Sequence, residues 1–233
     1  MSRGKQTTIS KSRELPKPNE YVLALLGELS EWAYCEEKSP TYKGRWKKEV
    51  FQNEAPLDLE IGTGNGYHFA YYANSNPHRN FLGIEIKYKP LIQSIRRALR
   101  NESKNMRMLR YNATMLPDLF EEGELDNVMI HFPDPWPKSG WTKHRLIQTE
   151  FLETLFKLQK PGAVVEFKTD DRDYFDWSVE RFEASPYQVT GLSYDLHRSE
   201  FAEGNYKTHF EKLFLRKGQP IHFARLLKPT SDQ

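Results

Sequence analysis

An apolar run over residues 125–131 ends directly in Phe132-Pro133-Asp134-Pro135-Trp136-Pro137-Lys138, and no regular element can carry that segment onward. Its three prolines lack the N–H that a helix interior or a sheet ladder needs. The run before it has the length and continuity of a parallel strand buried on both faces. The segment therefore lies just past the carboxyl end of a strand, where open α/β sheets place their ligand crevice. It brings a carboxylate, an aromatic ring and a lysine to that place, groups suited to gripping a planar ring. A second run, residues 57–61, ends in the same way in Glu60-Ile61-Gly62-Thr63-Gly64-Asn65-Gly66.

Between and after these runs, strand and helix patterns alternate. Strands are predicted at 57–61, 81–85, 106–111, 125–131 and 163–167, with helices at 66–74, 89–100, 143–158 and 171–185. Such alternation predicts an α/β fold with a mostly parallel, doubly wound sheet. Two last strands, 187–194 and 220–227, flank a long polar loop with no evident helix, which predicts an antiparallel edge. Upstream, Asn19 is placed to cap a helix over 20–37, and 39–53 is a charged linker with short structure. The division expected is 1–53, a basic arm and helix, and 54–233, the main domain.

The chain has 233 residues, enough for one such domain with a real core and an appendage. A formal net charge of +2 excludes a bulk polycation, so any nucleic-acid contact must use local patches. One is the opening segment, where Arg3, Lys5, Lys11, Arg13 and Lys17 face only Glu14; residues 1–18 read as a mobile basic arm or a plain solvated terminus. Others are Arg96, Arg97 and Arg100 on one helix, and the stretch from Lys138 to Arg145. A single cysteine, Cys35, leaves no internal disulfide, and His68, His131 and His197 lack metal-ligand spacing. There is no apolar run of membrane-spanning length and no apolar signal core at the N-terminus, so the cytoplasm is expected.

Glycines 62, 64 and 66 let the chain turn tightly and bring backbone N–H groups near a ligand. A dinucleotide fingerprint would need one more glycine where Tyr67 stands, which disfavours a nicotinamide-dependent dehydrogenase. Glu85, ending the second strand, can accept bonds from both hydroxyls of a ribose, a device shared with NAD enzymes. Asn112-Ala113 ends the third, where a side-chain amide can meet an adenine edge. Signals at successive strand ends point to a nucleotide-type cofactor and a base-like substrate over one sheet.

Taken together, Glu60-Ile61-Gly62-x-Gly64-x-Gly66, Gly83-Ile84-Glu85, Asn112-Ala113, Phe132-Pro133-Asp134-Pro135-Trp136-x-Lys138, Thr169-Asp170 and Thr208-x-Phe210-Glu211 resemble the bacterial tRNA (guanine-N7-)-methyltransferases. The resemblance spans about residues 57–227. It implies a Rossmann-like class I fold, S-adenosyl-L-methionine as cofactor, and formation of 7-methylguanosine in the tRNA variable loop, usually at conventional position 46. It implies cofactor contacts from Glu60, Gly62, Gly64, Glu85, Asn112, Ala113 and Asp134, with Asp134 also at the chemistry. It implies substrate contacts from Lys138, Asp170, Thr208, His209, Phe210 and Glu211; the basic stretch from Lys138 to Arg145 adds Lys143 and Arg145 as expected RNA contacts. The partner implied is tRNA, without metal or membrane, the chain being a monomer or homodimer. Two stretches depart from the family pattern. Trp141-Thr142-Lys143-His144-Arg145 replaces a more basic H-x-K-R-R run, and His209 fills a slot often held by lysine.

Other readings stay open at this stage. Asp134 could cap the following segment, Trp136 could fill the core, Thr208 could be a turn residue, and Asp170-Asp171 could start a helix. At the level of function, the alternatives are a related N-methyltransferase on another nucleobase or small molecule, or a non-catalytic RNA-binding protein of the same fold.

Overall fold

The computed structural model describes residues 9–138 and 140–230. Eight strands form one sheet: β1 Ala33–Tyr34, β2 Leu57–Ile61, β3 Asn80–Ile84, β4 Met106–Leu109, β5 Val128–His131, β6 Val164–Thr169, β7 Gln188–Ser193 and β8 His222–Leu227. Their order is β1-β4-β3-β2-β5-β6-β8-β7. Strands β1 to β6 pair in parallel, and β8 runs antiparallel to both β6 and β7. The direction of winding reverses between β2 and β5, which makes their carboxyl ends the switch point where such sheets bind ligands. Both motifs leave the sheet there.

The central strands are buried throughout, so their apolar residues divide between two layers by alternation. Leu82, Ile84, Val128 and Ile130 face one layer with α4 (Thr149–Leu158) and α5 (Arg172–Glu183). Phe81, Met106, Met108 and Met129 face the other with α2 (Tyr67–Ser75) and α3 (Tyr88–Arg100). Polar residues inside β2 are partnered, as burial demands. Asp58 takes Arg79 Nη2 at 2.7 Å and Tyr72 Oη at 2.7 Å.

The N-terminal region differs from the expected long helix. Helix α1 spans only Glu20–Leu26, with the Asn19 side chain accepting from the Tyr21 and Val22 amides. Gly27 leaves helical geometry, and the chain instead enters the sheet as β1 beside β4. Residues 33–34 thus join the same sheet as the rest. The arm is docked from residue 9 onward. Ser12 is buried, its amide and hydroxyl both donating to Glu36, which also pairs with Arg110 at 2.8 Å. Arg3 and Lys5 lie outside the described residues.

The 39–53 stretch contains a π-helical segment, Trp46–Phe51, whose fully buried Trp46 donates to the Leu119 carbonyl at 2.8 Å. The helix expected from 143 starts only at Thr149. An unexpected helix, α6 (His209–Arg216), lies within the polar loop. No described helix is long and apolar enough to cross a membrane.

Candidate active site

The glycine loop joins β2 to α2 with Gly62, Gly64 and Gly66 at φ of 76°, 52° and 73°. Their surroundings divide their roles. A Cβ on Gly66 would strike Ser94 of α3, so that glycine serves helix packing. A Cβ on Gly62 or Gly64 would meet nothing within 4 Å; these two face open space. That space is a groove of about 540 Å³ lined by Gly62, Gly64, Glu85, Asn112, Ala113 and Asp134, among others.

Each strand end is locally tied. Glu85 accepts from the Gly64 amide at 3.2 Å and the Lys87 amide at 2.9 Å. Burial nevertheless pushes its carboxyl above the usual range, the amides offsetting only part of the desolvation. Asn112 Oδ1 accepts from the amide and hydroxyl of Thr114, both at 3.0 Å, capping the short 3-10 turn that follows.

Glu60 is set back from this groove. It is buried, with Oε2 2.8 Å from His68 Nδ1, and lines an adjoining cleft of about 120 Å³ with Thr208 and Phe210. His131 closes the same cluster, its ring 4.4 Å from that of His68. Both of its ring nitrogens are buried without a hydrogen-bond partner among the described residues. Burial, then Lys168 and His68, holds its imidazole well below the usual range. Glu60, His68 and His131 bring ligand-type atoms within 4.8 Å of one another, a grouping invisible in linear spacing. All three side chains line the cleft wall.

The Asp134 turn is held from several sides. Phe132 and Trp136 both take left-handed backbone, φ 53° and 47°, a conformation bulky residues adopt only when their surroundings enforce it. The Phe132 amide donates to the Lys168 carbonyl at 2.8 Å, and its ring stacks on Phe214 of α6 with centroids 6.0 Å apart. Trp136 lines the groove and packs on Trp141 and His144 at 5.6 and 5.1 Å. Asp134 itself is exposed on the groove wall. Lys138 is also exposed, its ammonium 4.8 Å from the Trp141 ring centre.

The remaining expected substrate residues divide. Phe210, 50 % exposed, lines both groove and cleft, and His209 is exposed beside it. Thr208 caps α6 in a reciprocal box with Glu211. Glu211 is fully buried, with Oε1 accepting from Asn205 Nδ2 at 2.7 Å and lying 3.0 Å from His197 Nε2, and Oε2 accepting from the Thr208 amide. Its oxygens are engaged within the protein, in the contacts that build the Thr208 corner. Asp170 is half-buried past β6 and lines neither groove nor cleft. Burial and the neighbouring Asp171 raise its carboxyl. Asp171 caps α5.

Lys143 is exposed, whereas Arg145 is 6 % exposed. The Arg145 Nε donates to the Pro135 carbonyl at 2.8 Å, and the guanidinium lies over Tyr174 and Trp177 at 5.0 and 5.1 Å. Its guanidinium is thus engaged within the protein. His144 was passed over in the sequence, yet it lines the groove with Tyr111 and Thr114. Its signal lay in the departure from the family pattern between residues 141 and 145.

A doubly wound sheet with this glycine loop, an acid after β3 and a groove at the switch point defines a class I methyltransferase fold. The solved 16S rRNA methyltransferase KamB has the same fold, at TM-score 0.58 and 15 % identity over 80 % of this chain and 94 % of that one. A family model described as "Putative methyltransferase" matches residues 54–224. The tRNA (guanine-N(7)-)-methyltransferase of Bdellovibrio bacteriovorus is 48 % identical over 88 % of this chain and 100 % of its own length. The protein of the same name from Lachnoclostridium phytofermentans is 36 % identical over 90 % and 94 %. The chain belongs to the tRNA (guanine-N(7)-)-methyltransferase family.

Proposed function

We propose that this protein transfers a methyl group from S-adenosylmethionine to N7 of guanine in the variable loop of tRNA, at position 46, in the cytoplasm. The observation that carries this reading is the opening of the Asp134 turn onto the groove that also receives Gly62, Gly64 and Glu85. The open space facing Gly62 and Gly64 fits the cofactor, since backbone there can approach a ligand without a side chain intervening. Glu85 would hold the ribose, and Asn112 with Ala113 would border the adenine. When bound, S-adenosylmethionine supplies an electrophilic methyl group on a positively charged sulfur.

Guanine N7 carries a lone pair and no proton at neutral pH, so no side chain has to act as a base before attack. The protein must instead orient the purine and stabilise the positive charge it gains. Asp134 meets the second need with a carboxylate on a turn whose geometry is fixed in advance. Trp136 provides an apolar wall for a planar ring, and Lys138 sits at the rim for a phosphate or the O6 carbonyl. Asp170, past the end of β6, remains the candidate acceptor for guanine N1–H and N2–H₂.

The test is nucleoside mass spectrometry of tRNA incubated with the protein and S-adenosylmethionine. 7-Methylguanosine is the expected product. A different methylated nucleoside, or none, overturns the reading.

A further inference from the structure

Tyr67 stands where a dinucleotide-binding loop would place glycine, and the groove itself does not use it. Its ring lies 3.7 Å from the Arg97 guanidinium and stacks on His209 with centroids 5.7 Å apart at 22°. His209 in turn meets Phe210 edge-on at 6.3 Å. Arg97, Tyr67, His209 and Phe210 thus form a row of planar groups that ends at the groove. At its other end is a trough of about 420 Å³ lined by Asn65, Tyr67, Gln93, Arg96, Arg97 and Arg100. Among the described residues only one carboxylate pairs with these arginines, Glu28 with Arg96 at 2.8 Å, and both of those side chains are exposed.

We propose that this row and trough form a subsite for the nucleotide flanking the target guanosine, its phosphate held by Arg97 and Arg100 and its base stacked on His209 and Phe210. The proposal rests on the functional reading above. Three guanidiniums on one helix face with one exposed carboxylate partner make a site for an anion of repeating charge. Arginine forks match phosphate oxygens and also stack. Aromatic faces accept any base, so the subsite would position the strand without reading its sequence. It also gives the bulky residue at 67 a use. The ring orients Arg97 over the trough and supports His209 at the end of α6, linking two elements distant in the chain.

The experiment measures tRNA binding against salt for wild type, Arg97→Ala/Arg100→Ala, Phe210→Ala and Tyr67→Phe. The double variant should flatten the slope of log affinity against log salt by about 1.4, two contacts at roughly 0.7 each. Phe210→Ala should weaken binding roughly five- to hundredfold. Tyr67→Phe keeps the ring and should bind as wild type does. A neutral methylphosphonate at the phosphate beside the target guanosine should weaken wild type and leave the double variant unaffected. An unchanged slope in the double variant, or equal sensitivity of both proteins to the methylphosphonate, overturns the subsite. Absence of 7-methylguanosine with wild type would instead overturn the functional reading, since the salt slope is read from binding alone.

Discussion

Arg145 donates its Nε to the carbonyl of Pro135 at 2.8 Å, and so fixes from below the residue that follows Asp134. A charge-bearing donor in a buried aromatic setting is here devoted to one backbone oxygen of the turn that lines the groove. Arg145→Ala should therefore lower turnover roughly ten- to hundredfold at saturating tRNA, as misplacement near a reacting centre does. Its salt slope for tRNA should match wild type. Arg145→Lys should recover little, because lysine lacks the planar fork that spans Pro135, Tyr174 and Trp177. A slope reduced by one contact in Arg145→Ala would put this side chain on the RNA after all.

Asp134→Asn keeps the shape of the side chain and removes its charge. If the carboxylate stabilises charge arriving on the purine, single-turnover rates should fall by at least about tenfold while tRNA affinity stays near wild type. Near-normal single-turnover rates would assign Asp134 to shape alone.

Glu85 carries opposed demands. Its carboxyl is raised by burial, so the native protein holds a proton there more readily than the unfolded chain does. Stability contributed by that proton is lost as pH rises, which makes the charged form a burden in the free protein. Glu85→Gln should raise the melting temperature of the free protein near neutral pH. It should also weaken S-adenosylmethionine roughly ten- to hundredfold, the worth of a charge-assisted bond. Calorimetric titration with thermal melts checks both, and unchanged affinity removes Glu85 from the cofactor site.

His131 sets an acid limit. Its native pKa is depressed, so below about pH 6.5 the unfolded chain takes up a proton that the native state refuses. Stability therefore falls as pH drops through that point. His131→Phe should abolish this part of the loss. Urea unfolding at pH 7.5 and pH 5.5 compares the two proteins, and an equal acid loss in the variant rules His131 out as its source.

The strands that place the site are legible because each is an apolar run stopped by glycine or proline, at Gly62 and Pro133 for example. What sequence patterning misses is tertiary. The helix expected over 20–37 has a good cap at Asn19, but Gly27 and the free edge of β4 draw the chain into the sheet instead. Helix α6 hides in a polar segment because its fixing residues are themselves polar: Thr208 and Glu211 satisfy each other's backbone, and Phe210 points outward. Arg145 looks like an RNA contact in a basic stretch, and only the three-dimensional neighbourhood of Tyr174 and Trp177 reveals a buried partner.

Strand β7 has one neighbour in the sheet, β8, and β8 follows it by about thirty residues in the chain. During synthesis, residues 188–193 therefore emerge before anything exists for them to pair with. Strand β8 fills the place between β6 and β7 and is the latch of the sheet. Substitutions in β8 leave both of those edges without a partner, so they should register first as aggregation of new chains rather than as slow catalysis.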